Sequence, residues 1–186
     1  MTLRPSLEAR KYLGQRETKE NGKGNAGFVN QAFLTEMIEE GWQKFWAWCC
    51  VLQRVVYVNS YPEHTTLLRK LFSPSVLTTL NNFRNAGFIV GTKPVIDSLA
   101  VWQSFKDGHA QITGHIGCVS SVDVNKLRFS DISGNTNSAG SREGDTCAEK
   151  DHSYDKEAFL VNNGLRLIGF IHVPLKLEVM DQQKTK

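Results

Sequence analysis

A cysteine, a histidine and an asparagine stand in this chain in an order that supports thiol chemistry. Cys49 opens a stretch in which Val51, Leu52, Val55, Val56 and Asn59 recur at the spacing of a helix stripe. The β-branched content of that stretch favours a strand. The stripe nevertheless runs for more than two turns, and it predicts a helix that starts at Cys49. A helix start and a nearby imidazole both lower a cysteine pKa, and the thiolate is the nucleophilic form. Cys50 lies about 100° further round the same helix, so only one of the two thiols can face a given cleft. Five histidines could serve as the base: His64, His109, His115, His152 and His172. His115 is the best placed, because it begins a predicted strand between Gly114 and Gly117, and glycines there leave room for a substrate backbone.

The third member follows from strand geometry. If His115 to Val122 and Leu127 to Ser133 form a hairpin about Val124, His115 pairs with Ser133. Asn135 then emerges on the face of His115, one pleat away. Its amide oxygen can accept a hydrogen bond from the imidazole and fix the tautomer. Asp131 has the same parity but lies deeper along the strand. A slip of one residue would put both on the wrong face. On residue types alone the constellation is weakly specific, since a buried cysteine is more often an inert small hydrophobe.

The elements that must position these residues can be read along the chain. Ser6 to Arg16 predicts a short helix and Glu17 to Asn25 a polar, Gly-rich loop. Phe28 to Glu40 predicts a helix stopped by Gly41. Pro62 to Phe72 and Ser75 to Asn85 predict two more, the second capped by Ser75 and ended by Gly87. After Pro94 the pattern turns to strands: Ser98 to Trp102, His115 to Val122, Leu127 to Ile132 and Leu165 to Val173. Gly134 to Asp151 is Gly/Ser-rich and predicts a long exposed loop. Helices first and a strand meander second imply an α+β fold, with helices packed on a small antiparallel sheet. The expected organisation is an N-terminal helical extension (1–16), one domain (17–175) and a C-terminal tail (176–186).

Composition narrows the classes. The chain has 186 residues, 40% hydrophobic and 22% charged, with a formal charge of only +3. That is enough apolar material for one core. No basic block is interleaved with aromatics, which argues against a nucleic-acid partner. Cys49, Cys50, Cys118 and Cys147 form no disulfide framework and no CxxC pair, so reduced thiols, no metal and no cofactor are expected. No stretch reaches the length of a membrane span, and Met1 to Arg16 lacks the apolar run of a signal peptide.

Five segments carry a family resemblance. Trp48-Cys49-Cys50-Val51 resembles the W-C-A-x-F/V nucleophile motif of CHAP and NlpC/P60-like cell-wall hydrolases. Gly114-His115-Ile116-Gly117-Cys118-Val119 resembles their G-H-V-G-I-V strand, and Ser133-Gly134-Asn135-Thr136-Asn137 resembles their E-G-N-T-N stretch. Pro94 to Trp102 is similar to the P-x-x-G-D-I-V-V-F strand, and Gly24-Asn25-Ala26-Gly27 to the G-x-N-x-G entry of endolysin-like members. The order holds from about Glu17 to Pro174. The resemblance implies a papain-like fold, an amide-bond hydrolase acting on peptidoglycan, and Cys49, His115 and Asn135 as the triad. Gln43, six residues before the cysteine, is similar in placing to the oxyanion-hole glutamine of papain. The chain departs from the pattern at Ile96, Ser98 and Ser133, where the family has a glycine, a hydrophobe and an acid.

Trp48, Gln43 and Gly114 are the expected substrate-side residues. Trp42, Trp46 and Trp48 can stack on sugars, although tryptophans at such spacing more often pack in cores. Two other readings compete with the wall hydrolase: a catalytically silent virion component that keeps the fold, and a cysteine protease or amidase acting on protein or small amides. The hydrolase reading implies a monomer made in the cytoplasm that reaches the wall after release or injection, as an endolysin does.

Overall fold

A computed structural model describes residues 4–136, 144–154, 161–162 and 164–184. The N-terminal half holds helix α1 (Pro5–Arg10), a hairpin of β1 (Glu17–Glu20) and β2 (Lys23–Phe28), then α2 (Gln31–Glu39) and α3 (Cys49–Ser60). A 3-10 turn (Pro62–His64), α4 (Thr65–Leu71) and α5 (Val76–Asn85) follow. The C-terminal half holds β3 (Val90–Gly91), β4 (Leu99–Lys106), β5 (His109–Asp123), β6 (Arg128–Thr136), β7 (Thr146–Ser153), β8 (Val161–Asn162), β9 (Leu165–Ile171) and α6 (Val173–Lys184). The fold is α+β, with an antiparallel sheet in the order β3-β9-β4-β5-β6-β7 and β8 paired to β9. Among the described residues, no helix is long and apolar enough to cross a membrane.

Local chemistry accounts for most helix boundaries. Asn30 accepts from the N–H groups of Ala32 and Phe33 to start α2, and Ser75 accepts from Thr78 to start α5. Gly41 and Gly87 follow these helices with positive φ, as helix-stopping glycines do. Helix α3 differs. Cys49 through Gln53, Val55 through Val58 and Ser60 are all buried, so it is a central helix with neighbours on nearly every side. That burial overrides the strand preference of its valines. Buried Glu40 receives Arg54 Nε (3.0 Å) and Arg69 Nε (3.1 Å), which ties the end of α2 to α3 and α4.

The sheet separates two apolar clusters by strand alternation. Leu99, Val101, Ile116, Cys118, Ile132 and Ile171 face α3 and its helical neighbours. Ala100, Trp102, Val119, Phe129, Leu167 and Phe170 form a smaller cluster with Tyr154. The β5–β6 register pairs Cys118 with Ile132 and Val119 with Asp131. Continued three residues further along each strand, it sets His115 across from Asn135 rather than Ser133. The expected hairpin was two residues out, so the parity survived. The difference comes from the turn, which pairs Asp123 with Arg128 and so lies beyond Val124; a bulge between Val119 and Ser121 takes back one residue of that offset.

Four expectations change. Glu17 to Asn25 is not a loop but most of a hairpin, whose tip is made by Asn21 and Gly22 with positive φ. The first sixteen residues are docked rather than appended. Asp97 accepts from Ser6 N (2.8 Å) and Arg4 Nε (3.0 Å), Arg10 pairs with Glu149, and Gly14 and Gln15 hydrogen-bond the backbone of Cys147. The segment from 176 is not a frayed tail, since α6 buries Val173 and Leu177 in the main core. The loop expected from Gly134 to Asp151 contains the end of β6 and much of β7, and its residues 137–143 lie outside the described set.

Truncating a fully buried leucine leaves a cavity that the surroundings fill only partly. Leu177→Ala should therefore lower the unfolding free energy by about 3 kcal/mol in urea titrations. A loss within error would return the C-terminal segment to the status of a tail.

Candidate functional site

Cys49 occupies the first position of α3, 4% exposed. The residue before it, Trp48, supplies no side-chain cap. The cap comes from the sheet: Trp48 N–H donates to Asn135 Oδ1 at 3.0 Å, in a buried bond. Asn135 has a φ of 57° and sits where the β6–β7 pairing shifts between Ser133 and Thr136. This left-handed bulge re-aims the side chain toward the helix start. Gly134 permits the approach, since a Cβ there would run into the Trp48 ring and Leu52.

The Cys49 thiol titrates well below the usual range. The largest cause is a hydrogen bond from the Cys50 thiol; the hydrogen bond and charge of His115 and the Cys50 backbone N–H act in the same direction, against the cost of burial. Cys50 is driven the opposite way, first by its bond to Cys49 and then by burial, with Thr79 partly offsetting them. The two adjacent thiols are thus shifted in opposite directions, Cys49 downward and Cys50 upward. Burial also pushes up the Cys118 thiol and raises Cys147 to about 12. All four cysteines are free and buried. Cys118 packs in the core, whereas Cys147, expected in an exposed loop, is buried on β7.

His115 lies on central strand β5, paired with Trp102, whose ring centroid is 6.0 Å from the imidazole. It is 7% exposed, and its Nδ1 is buried with no hydrogen-bond partner. Hydrogen bonds between catalytic groups are often long before substrate binds. The structure thus brings Cys49 and His115 together and keeps Asn135 at the same corner. It gives Asn135 a different job from the one expected: its amide oxygen serves Trp48 N–H, and its Nδ2 donates to Gly144 O at 3.2 Å.

Two residues without an assigned role complete the corner. Glu17 accepts from Trp48 Nε1 (2.9 Å) and from Asn25 N (3.0 Å). In the amide orientation that satisfies its neighbours, Asn25 Nδ2 donates to Asn135 Oδ1 (3.0 Å), Glu17 Oε2 (2.8 Å) and Trp46 O (3.3 Å). Gly24 is required beside them, since a Cβ would collide with Glu17 Oε1. The Gly24-Asn25 motif was visible in the sequence. Glu17 carried no signal in the sequence beyond opening a polar, Gly-rich stretch.

The expected substrate-side residues fare differently. Trp48 is fully buried and packs edge-on to Phe28 (5.1 Å) and Phe33 (6.0 Å), so its ring is core and not a sugar platform. The space left by Gly114 is taken by the Trp102 carbonyl and Val76, and that left by Gly117 by Asp131 and Ser133. These glycines admit the protein's own neighbours rather than a substrate backbone. Gln43 is exposed on the segment before α3. Trp42 is buried and donates from Nε1 to Trp46 O, while Trp46 is 39% exposed and Phe45 49%. His152 lies on β7 and pairs with Asp131 at 2.5 Å.

A scan against protein-family models and searches of curated proteins and of solved structures found no match.

Cys49 should be the first thiol alkylated by iodoacetamide near neutral pH, since the other three are pushed upward. His115→Ala and Cys50→Ala should each move the pH midpoint of labelling higher, because each removes a group that favours the thiolate. The readout is peptide mass analysis across a pH series. An unmoved midpoint in His115→Ala would detach the imidazole from the thiol.

Asn135→Ala should cost stability as well as reactivity, by about 1–3 kcal/mol, since it leaves the buried Trp48 N–H unpaired. Denaturant unfolding of the variant reads this directly.

Proposed function

We propose that this chain is a papain-like cysteine hydrolase that cleaves amide bonds in peptidoglycan. The observation that carries the reading is a buried cysteine at the first position of a central helix beside a histidine on the central strand, an arrangement that shifts its thiol downward. A structural cysteine in an apolar core has its pKa raised, as Cys118 and Cys147 do here. Cys49 departs from them in the direction that nucleophilic catalysis needs. The wall substrate rests on the five segments that resemble cell-wall hydrolases, in their order along the chain.

The mechanism runs through a thioester. His115 holds the proton of Cys49, and the thiolate adds to a substrate carbonyl carbon to form a tetrahedral oxyanion. Backbone N–H groups at the start of α3 lie at the positive end of the helix and stabilise that charge. Collapse breaks the C–N bond as His115 passes its proton to the leaving amine. Water then attacks the thioester with His115 as base, releasing a carboxylic acid and restoring the thiol. Asn135 acts in this scheme as a positioning residue that fixes the helix head relative to the strand. Trp46, the exposed tryptophan beside the corner, is the one whose ring is open to a glycan.

The competing reading, a silent structural module, draws on the burial of both Cys49 and His115. Digestion of purified sacculi separates the two. Wild-type protein should release muropeptides with new amine termini. Cys49→Ala should release none while keeping its far-UV circular dichroism. Full release by Cys49→Ala, or none by the wild type, would refute the hydrolase.

A further inference from the structure

Away from Cys49, the 3-10 turn and α6 bring three side chains of metal-ligand type together. His64 is buried at 4% exposure, and its Nε2 lies 2.9 Å from Asp181 Oδ1 and 3.9 Å from Glu63 Oε1. One donor atom from each residue falls within 4.8 Å of the others. The two carboxylates are 43% and 47% exposed, so the cluster opens to solvent on one side.

The second observation is the direction of the imidazole. Although Asp181 Oδ1 is only 2.9 Å away, Nε2 is buried and makes no hydrogen bond. A histidine paired to a carboxylate by a hydrogen bond aims its ring nitrogen at the oxygen. Two ligands of one ion do not aim at each other. Each directs its lone pair at a common point, about 2.0–2.2 Å from each donor atom, and the donor atoms then stand roughly 3 Å apart. The His64–Asp181 separation fits that geometry, and a rotamer change of exposed Glu63 closes the longer gap. Glu63, Asp97, Glu178 and Asp181 also line a cavity of about 380 Å³ beside the cluster, with Arg4 as its cation. The surplus of carboxylates favours a divalent cation.

We propose that Glu63, His64 and Asp181 form a site for one divalent transition cation of the zinc type, with water completing the shell on the exposed side. An imidazole nitrogen with two carboxylates suits zinc, cobalt or nickel better than the hard cations calcium and magnesium, which prefer oxygen alone. The bound ion fastens α6 to the turn ahead of α4 and leaves the Cys49 corner untouched. The site stands independently of the proposed hydrolase.

Cobalt(II), a spectroscopic substitute for zinc, tests it on the full chain after chelator treatment, by calorimetry and visible absorption. The expected result is one equivalent bound, no sulfur charge-transfer band, and a raised Tm. Glu63→Gln and Asp181→Asn, both at half-exposed positions, should each weaken binding by about tenfold or more. Three results would overturn the proposal. One is no saturable binding at millimolar cobalt. Another is equal affinity in the double variant. The third is a sulfur band, which would place the ion on Cys49.

Discussion

The buried hydrogen bond from Trp48 N–H to Asn135 Oδ1 governs the geometry of the corner. A helix leaves its first N–H groups without intrahelical partners, and a local serine, threonine or aspartate ordinarily serves them. Helix α3 has no such residue at its start. Its cap is borrowed from the sheet, so the head of the helix is fixed with respect to β6. The sulfur is thereby set against β5, the neighbour of β6. Further along the helix, Gln53 Nε2 donates to Ile132 O (3.0 Å) on β6 and Tyr57 Oη to Asp97 O (2.7 Å), so directional bonds add to the apolar burial that has no direction of its own.

Around this bond the side chains form a graded polar cluster. Glu17 holds the Trp48 indole, Asn25 links Glu17 to Asn135, and Gly24 and Gly134 leave the space both approaches need. Buried polar groups are costly unless satisfied, and this cluster satisfies its members through one another. The thiol pair is arranged by similar logic. Two adjacent cysteines do not both ionise readily in a buried site, and here Cys49 is the one favoured to do so.

Much of this was legible in the residues. The period of Val51, Leu52, Val55 and Val56 revealed α3, Ser75 and Gly87 bracketed α5, and the switch to strand patterning after Pro94 revealed the sheet. The helix start at Cys49 followed from a local rule, whereas His115, expected at a strand start, lies in the interior of β5. The role of Asn135 as the cap of α3 was not legible, because it depends on a left-handed bulge at the end of β6. The hairpin at Glu17 to Phe28 was hidden by glycines and charges, which lack the alternation that marks a strand. Helix α6 was hidden for the opposite reason. Its anchors, Val173 and Leu177, are few, and the charged residues around them read as a solvated end. The openings implied by Gly114 and Gly117 were real, but neighbouring strands and α5 fill them.

The corner joins chain segments that lie far apart in order. Trp48 is 31 residues from Glu17 and 87 from Asn135. Closing spans of that length has an entropic cost that early local contacts do not offset, so such pairings form late in folding. The helix can coil while the sheet is still incomplete, but its first turn stays frayed until β6 arrives. A nascent or partly folded chain would therefore carry Cys49 as an ordinary thiol, and the sulfur would become reactive only as folding finishes.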